Sequence, residues 1–187
     1  IQGDMSRADV VVLTKYCSGK KVVEFGMGGS TLLLARCTQT FISYEDDEMW
    51  FQRTQDRISQ IPDKIDDIEL ILQKDPPKTI PSDTDTLFVD GNDTLRKLWI
   101  EKLGHIPNTI LVHDSRRTKD FEDTVDSLKK HFLKIDTIQV HAQESNIIVV
   151  TMRPSPIELE DWNKTEIYNH RVSWDEENYI SSYWECL

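Results

Sequence analysis

Acidic residues recur in this chain at the ends of short apolar runs, each beside a turn signal. Glu24 lies in Val22-Val23-Glu24-Phe25, just before Gly26-Met27-Gly28-Gly29-Ser30-Thr31. Glu45 opens Glu45-Asp46-Asp47, and Asp75 lies in Lys74-Asp75-Pro76-Pro77. Asp90 begins Asp90-Gly91-Asn92, and His113-Asp114 closes the run Ile110-Leu111-Val112. Glycines such as Gly26 and Gly28 let a backbone turn sharply and come close to a ligand. A helix starting after them offers unpaired N–H groups, and Ser30 or Thr31 is of a type that caps such a helix. A carboxylate roughly twenty residues after such a loop can accept both hydroxyl hydrogens of a ribose, which makes Glu45 the sugar-binding candidate. Asp90, His113 and Asp114 are the candidate bases, the histidine because its ordinary pKa suits proton transfer near neutrality. Helix capping or loop hydrogen bonding would explain any one of these acids alone. Their recurrence at successive run ends points to a site.

The elements that must hold these residues follow from periodicity and punctuation. A helix is expected over 6–17, with Val10, Leu13 and Thr14 on one face, stopped by Ser18-Gly19. Strands are expected over 22–25, 40–44, 68–72, 86–89 and 109–112, with helices after residue 30 and over 48–59, 95–103 and 119–132. Strands alternating with helices imply parallel β-α-β units. Two last strands, over 135–140 and 146–152, are separated only by the polar turn Gln143-Glu144-Ser145, so they pair antiparallel. The fold expected is α/β: a doubly wound, mostly parallel sheet of the seven-stranded type with a final antiparallel strand. Ligands bind such open sheets beyond the carboxyl ends of the strands, where the candidate residues fall.

Composition sets further expectations. The chain has 187 residues, 38% hydrophobic and 29% charged, enough for one domain. That domain is expected over 1–153. After Arg153-Pro154-Ser155-Pro156, an acidic aromatic extension over 154–187 holds Trp162, Trp174 and Trp184 with Tyr168, Tyr179 and Tyr183. It reads as a strap over the core, a lid or a homodimer contact, the strap being favoured because aromatics usually serve burial. No apolar run is long enough for a membrane span, and residues 1–5 carry no secretory leader. Three scattered cysteines, Cys17, Cys37 and Cys186, suit a reduced, cytoplasmic protein. A net charge of −11 repels phosphate backbones. Lys20-Lys21, Arg116-Arg117 with Lys119, and Lys129-Lys130 read as solvated faces. The partner expected is therefore a small molecule and not nucleic acid.

The motifs resemble a known family. Residues 22–35, VVEFGMGGSTLLLA, look like the first motif of class I S-adenosylmethionine-dependent methyltransferases, in the variant of small O-methyltransferase-like proteins. ISYEDDEMW resembles their second motif, Leu87-Phe88-Val89-Asp90-Gly91 their fourth-strand motif, and Ile110-Leu111-Val112-His113-Asp114 their fifth. The resemblance covers about 3–152. It implies a Rossmann-like methyltransferase fold, S-adenosylmethionine as cofactor, and transfer to an oxygen or nitrogen of a small molecule. By position it places Gly26, Gly28 and Ser30 along the methionine part, with Glu24 near its amino group. It places Glu45 on the ribose, Tyr44 and Asp46 beside the adenine, and Asp75 or Gln73 approaching the adenine from the third-strand loop. Asp90 would face donor and acceptor, with His113 and Asp114 on the acceptor side.

Departures are visible. Met27 is bulky for its loop position, and Ile106-Pro107-Asn108 replaces the usual Pro-Gly-Gly. Asp114 is followed by Ser115-Arg116-Arg117 rather than by a further acid and an Asn, so no metal is expected. Asp75-Pro76-Pro77-Lys78 is not the Asp-Pro-Pro-aromatic motif of amino-group methyltransferases, since it follows the third strand and ends in Lys. Two rival readings are a non-catalytic methyltransferase-like partner subunit and a dehydrogenase. Thr31 in place of a third spaced glycine argues against the dehydrogenase.

Overall fold

The computed structural model describes residues 5–114, 137–140 and 147–151. The helix expected over 119–132, Ser115-Arg116-Arg117 and the whole extension over 154–187 lie outside the described residues. Seven strands form one sheet: β1 (Lys21–Phe25), β2 (Thr40–Glu45), β3 (Ile68–Leu72), β4 (Thr86–Val89), β5 (Thr109–Val112), β6 (Thr137–Val140) and β7 (Ile148–Thr151). Their order is β3-β2-β1-β4-β5-β7-β6. The first five pair in parallel, and β7 runs antiparallel between β5 and β6. The expected antiparallel pairing of the last two strands is present, and β7 is inserted next to β5.

Four helices are described: α1 (Arg7–Cys17), α2 (Gly29–Cys37), α3 (Glu48–Ser59) and α4 (Asp93–Lys102). Alternation along each strand splits the core between two faces. On one face Val22, Phe88, Leu111 and Val149 pack under α1, α2 and α3 through Leu13, Leu34 and Ile58. On the other, Val23, Phe25, Val89, Ile110 and Val112 pack against Trp99, Ile100 and Leu103 of α4 and its exit. The inward face of α1 is Asp9, Val12, Leu13 and Cys17; Thr14, expected inward, is exposed.

Two helix starts decide where chemistry can sit. Ser6 caps α1, accepting from the Asp9 N–H at 3.1 Å while the Asp9 carboxylate accepts from the Ser6 N–H at 2.7 Å. This reciprocal box satisfies two donors that a helix start leaves unpaired. At α2 the expected cap is absent. Ser30 and Thr31 lie inside the helix after Gly28, and their hydroxyls turn back toward β1.

Candidate active site

Sheet pairing continues one residue past the strand ends and aligns the candidate residues along one edge. Gly26 N–H donates to Tyr44 O at 2.8 Å, Asp90 N–H to Phe25 O at 2.8 Å, Gln73 N–H to Glu45 O at 2.8 Å, and His113 N–H to Val89 O at 3.0 Å. The strand order reverses between β1 and β4, and a cleft opens there. Gly26, Asp46, Gly91, Asn92, Arg96 and Trp99 are among the residues lining it.

Gly26 must be glycine. Its φ is 92°, and a Cβ there would stand 2.2 Å from Asp90 O. The loop of β1 and the turn of β4 thus touch backbone to backbone, which only a residue without Cβ permits. Gly28 is different: a Cβ there would meet nothing within 4 Å, so space is open beside the loop.

Two buried acids hold this loop from below. Glu24 and Ser43 are register partners on β1 and β2, so both face α2. Glu24 accepts from Ser30 Oγ at 2.6 Å, from Thr31 Oγ1 at 2.8 Å and from Ser43 Oγ at 2.6 Å. Thr31 Oγ1 in turn accepts from Gly28 N–H at 2.7 Å. Burial pushes the Glu24 carboxyl up to about 8, and the three hydroxyls offset only part of that. Glu24 has no exposed surface, so its expected place beside a cofactor amino group is corrected: it anchors the loop from inside. Ser30, also expected along the ligand, is likewise committed to Glu24.

Glu45 ends β2 beneath the same loop. Its Oε2 accepts from Met27 N–H at 2.6 Å, and its Oε1 accepts from the N–H groups of Asp46 at 3.0 Å and Asp47 at 2.9 Å. Burial raises its pKa and the backbone donors pull it down. Asp46 lines the cleft, as expected of a residue near the base. Tyr44 does not: it is 8% exposed and packs in the core against Phe25 and Trp99, with ring centroids 5.7 and 6.4 Å away. Asp75 is exposed beyond β3 and away from the cleft lining, and Gln73 folds back onto its carbonyl.

Asp90, His113 and Asp114 do come together. His113 Nδ1 is 3.0 Å from Asp90 Oδ1 and 3.7 Å from Asp114 Oδ1. Its Nε2 is 3.7 Å from Asp9 Oδ2, an ion-pair distance too long for a hydrogen bond. Burial alone would lower the imidazole pKa; Asp90, Asp9 and Asp114 outweigh it and hold the ring protonated, well above its usual 6.5. Arg96 completes the group. It donates to Asp114 Oδ2 at 2.9 Å, Gly91 O at 2.9 Å and His113 O at 3.2 Å. Asp90, with a side chain 23% exposed, is the most open of these groups.

Asp9, Arg96 and Trp99 were not legible as site residues. Ser6 and Asp9 do carry the spacing of a capping box, which marks a helix start but not a partner 104 positions away, His113. Arg96 had one signal: a cation in the first turn of a helix, where the dipole disfavours it.

No family profile matches this sequence, and none of the curated proteins does. Solved structures match by shape. A methyltransferase-like protein from Silicibacter pomeroyi aligns over 90% of this chain and 95% of its own, at TM-score 0.55 and 19% identity. An S-adenosylmethionine-dependent O-methyltransferase from Thermotoga maritima aligns over 81% and 67%, at 0.58 and 16%. A protein from Streptococcus pneumoniae, described as a candidate tRNA (m1A22) methyltransferase and solved with S-adenosyl-L-methionine, aligns over 84% and 78%, at 0.57 and 14%. The fold is therefore the Rossmann-like fold of class I S-adenosylmethionine-dependent methyltransferases.

The Streptococcus match also corrects one expectation. The net charge of −11 predicts no nucleic-acid partner, yet a protein described as a candidate tRNA methyltransferase shares this fold. Total charge is a poor guide because a local patch, not the sum, meets a phosphate backbone. Lys21 is paired with Asp83 at 2.5 Å, while Arg116, Arg117, Lys119, Lys129 and Lys130 lie outside the described residues. No described helix is long and apolar enough to cross a membrane.

Proposed function

We propose that the chain is an S-adenosylmethionine-dependent methyltransferase. The observation that carries this reading is the joining of three parts at the sheet's switch point. The loop at Gly26 touches Asp90-Gly91, Glu45 holds the loop at Met27, and the cleft opens between them. The fold shared with a protein solved with S-adenosyl-L-methionine supports it.

The residues fit such a cofactor. Space is open beside Gly28. The indole N–H of Trp99, a cleft-lining residue 3% exposed, is buried with no hydrogen-bond partner among the described residues. A buried donor of this kind is costly unless a ligand or water meets it. Glu45, with Oε1 taken by two N–H groups and Oε2 by one, would accept one ribose hydroxyl at Oε2, and Asp46, Asn92 and Trp99 would surround the base. The cofactor supplies a methyl group already activated by a sulfonium charge. The chain has to align an oxygen or nitrogen acceptor in line with it. Asp90, the most open carboxylate of its cluster, would accept a proton from that acceptor.

Isothermal titration with S-adenosylhomocysteine tests the reading. One molecule should bind per chain, and Glu45→Ala should weaken binding at least about tenfold, the scale of losing one charge-assisted hydrogen bond. No binding of either adenosyl compound, or binding of NADH instead, overturns it. A labelled-methyl assay against a small-molecule pool and against unmodified RNA then assigns the acceptor. Binding without transfer to either would make the chain a methyltransferase-fold binding subunit.

A further inference from the structure

Asp90, His113 and Asp114 each offer a ligand atom within 4.8 Å of the others, which is the spacing of a cation site. Their surroundings argue against one. Arg96 Nη2 stands 2.9 Å from Asp114 Oδ2 and 3.9 Å from Asp90 Oδ1, between the two carboxylates a divalent ion would bridge. A hard cation needs oxygen ligands at about 2.0–2.6 Å around a single point, and the guanidinium already fills that approach. The His113 nitrogen that would have to donate its lone pair is instead 3.0 Å from Asp90 Oδ1.

The arginine is held, not parked. It is 4% exposed, and two backbone carbonyls, Gly91 O and His113 O, fix its fork between the β4 and β5 turns. It stands in the first turn of α4, the end of a helix that disfavours a cation, so its place is set by the acids it faces. Asp114 takes φ 62°, a left-handed conformation that Asp tolerates only at a cost, and Arg96 grips its carboxylate there. The charged groups facing one another are Asp9 from α1, Asp90 after β4, Asp114 and His113 after β5, and Arg96 from α4.

We propose that Arg96 is the resident cation of this cluster: it grips Asp114 and stands beside Asp90 where a divalent metal would otherwise bridge the two, and it makes the site independent of one. Arg96 is a positioning residue, acting through the two carboxylates. Naming this the acceptor side rests on the methyltransferase reading; the exclusion of a metal does not.

The test is titration of the purified full chain with Mn²⁺ alone, counting free ion by electron paramagnetic resonance. The wild type should show no site tighter than about 1 mM, the weak end of protein sites for divalent ions. Arg96→Met, which leaves all three carboxylates and removes the guanidinium, should gain one site at least about tenfold tighter. A wild-type site that Asp114→Asn abolishes overturns the proposal. So does a folded Arg96→Met chain that gains no site. If circular dichroism shows that Arg96→Met does not fold, the wild type and Arg96→Lys decide, and tight binding to either overturns it. S-adenosylhomocysteine titrated into the same samples keeps the two questions apart, since its failure to bind bears on the cofactor reading alone.

Discussion

At the β1–β2 end of the sheet edge the buried acids meet neutral donors; at the β4–β5 end they meet cations. Glu24 and Glu45 are satisfied by three hydroxyls and three backbone N–H groups. Asp90 and Asp114 face a guanidinium and an imidazolium, with Asp9 behind the ring. Hydroxyls and backbone donors fix geometry without bringing in charge, so the first cluster shapes a loop. Paired charges fix geometry only while every partner is present, because a charge left alone in a dry site is costly. The first cluster suits a rigid cradle, and the second suits a place where protons or charge must be handled.

Removing a charge should therefore cost more than removing a hydroxyl. Arg96→Met should destabilise by about 3–5 kcal/mol, the range for breaking a buried pair by deleting one partner. Urea unfolding measures it, and a loss under about 1 kcal/mol would erase the contrast between the clusters. Gly26→Ala comes next, at about 2–4 kcal/mol, from its φ of 92° and the overlap with Asp90 O. An alanine chain of unchanged stability would show that the loop and the β4 turn do not touch.

The third expectation concerns pH. Glu24 rises from 4.5 to about 8 on folding, so the folded state holds its proton over a range where the unfolded chain has lost it. Its contribution to stability is greatest below about pH 4.5 and is lost as pH rises toward about 8. Glu24→Gln should flatten the stability profile between those limits, read by unfolding at pH 5, 6.5 and 8. An unchanged slope would mean that the hydroxyls outweigh burial. The smallest effect should be Thr31→Val, about 1 kcal/mol for one hydroxyl that donates to Glu24 and accepts from Gly28. A cost near that of Arg96→Met would show the neutral cluster to be as demanding as the charged one.

Much of the fold was written in local pattern. The strands over 68–72, 86–89 and 109–112 and the helix over 48–59 have the expected bounds, because apolar runs and their Gly, Pro and Asp stops are local signals. The misses have physical causes. Ser30 and Thr31 looked like helix caps because capping is what their type does at a helix start. Only the seating of α2 over β1 shows that Glu24 beneath them claims both hydroxyls. Tyr44 was expected beside the adenine, but it packs behind Phe25 and Trp99 in the aromatic core, and those two residues line the cleft in its place. The charge argument against nucleic acid failed because a sum carries no positions.

By itself the sequence determined the succession of elements, the glycine turn and the acids that end each strand, since all depend on neighbours a few residues apart. Tertiary structure alone decided what those acids do. Strand order brought Gly26 against Asp90, and α1 and α4 delivered Asp9 and Arg96 to a histidine and an aspartate far along the chain. A carboxylate looks the same in sequence whether it will meet a hydroxyl, an amide or a guanidinium. Which one it meets, and so its charge and its work, is fixed by packing between segments that no local pattern links.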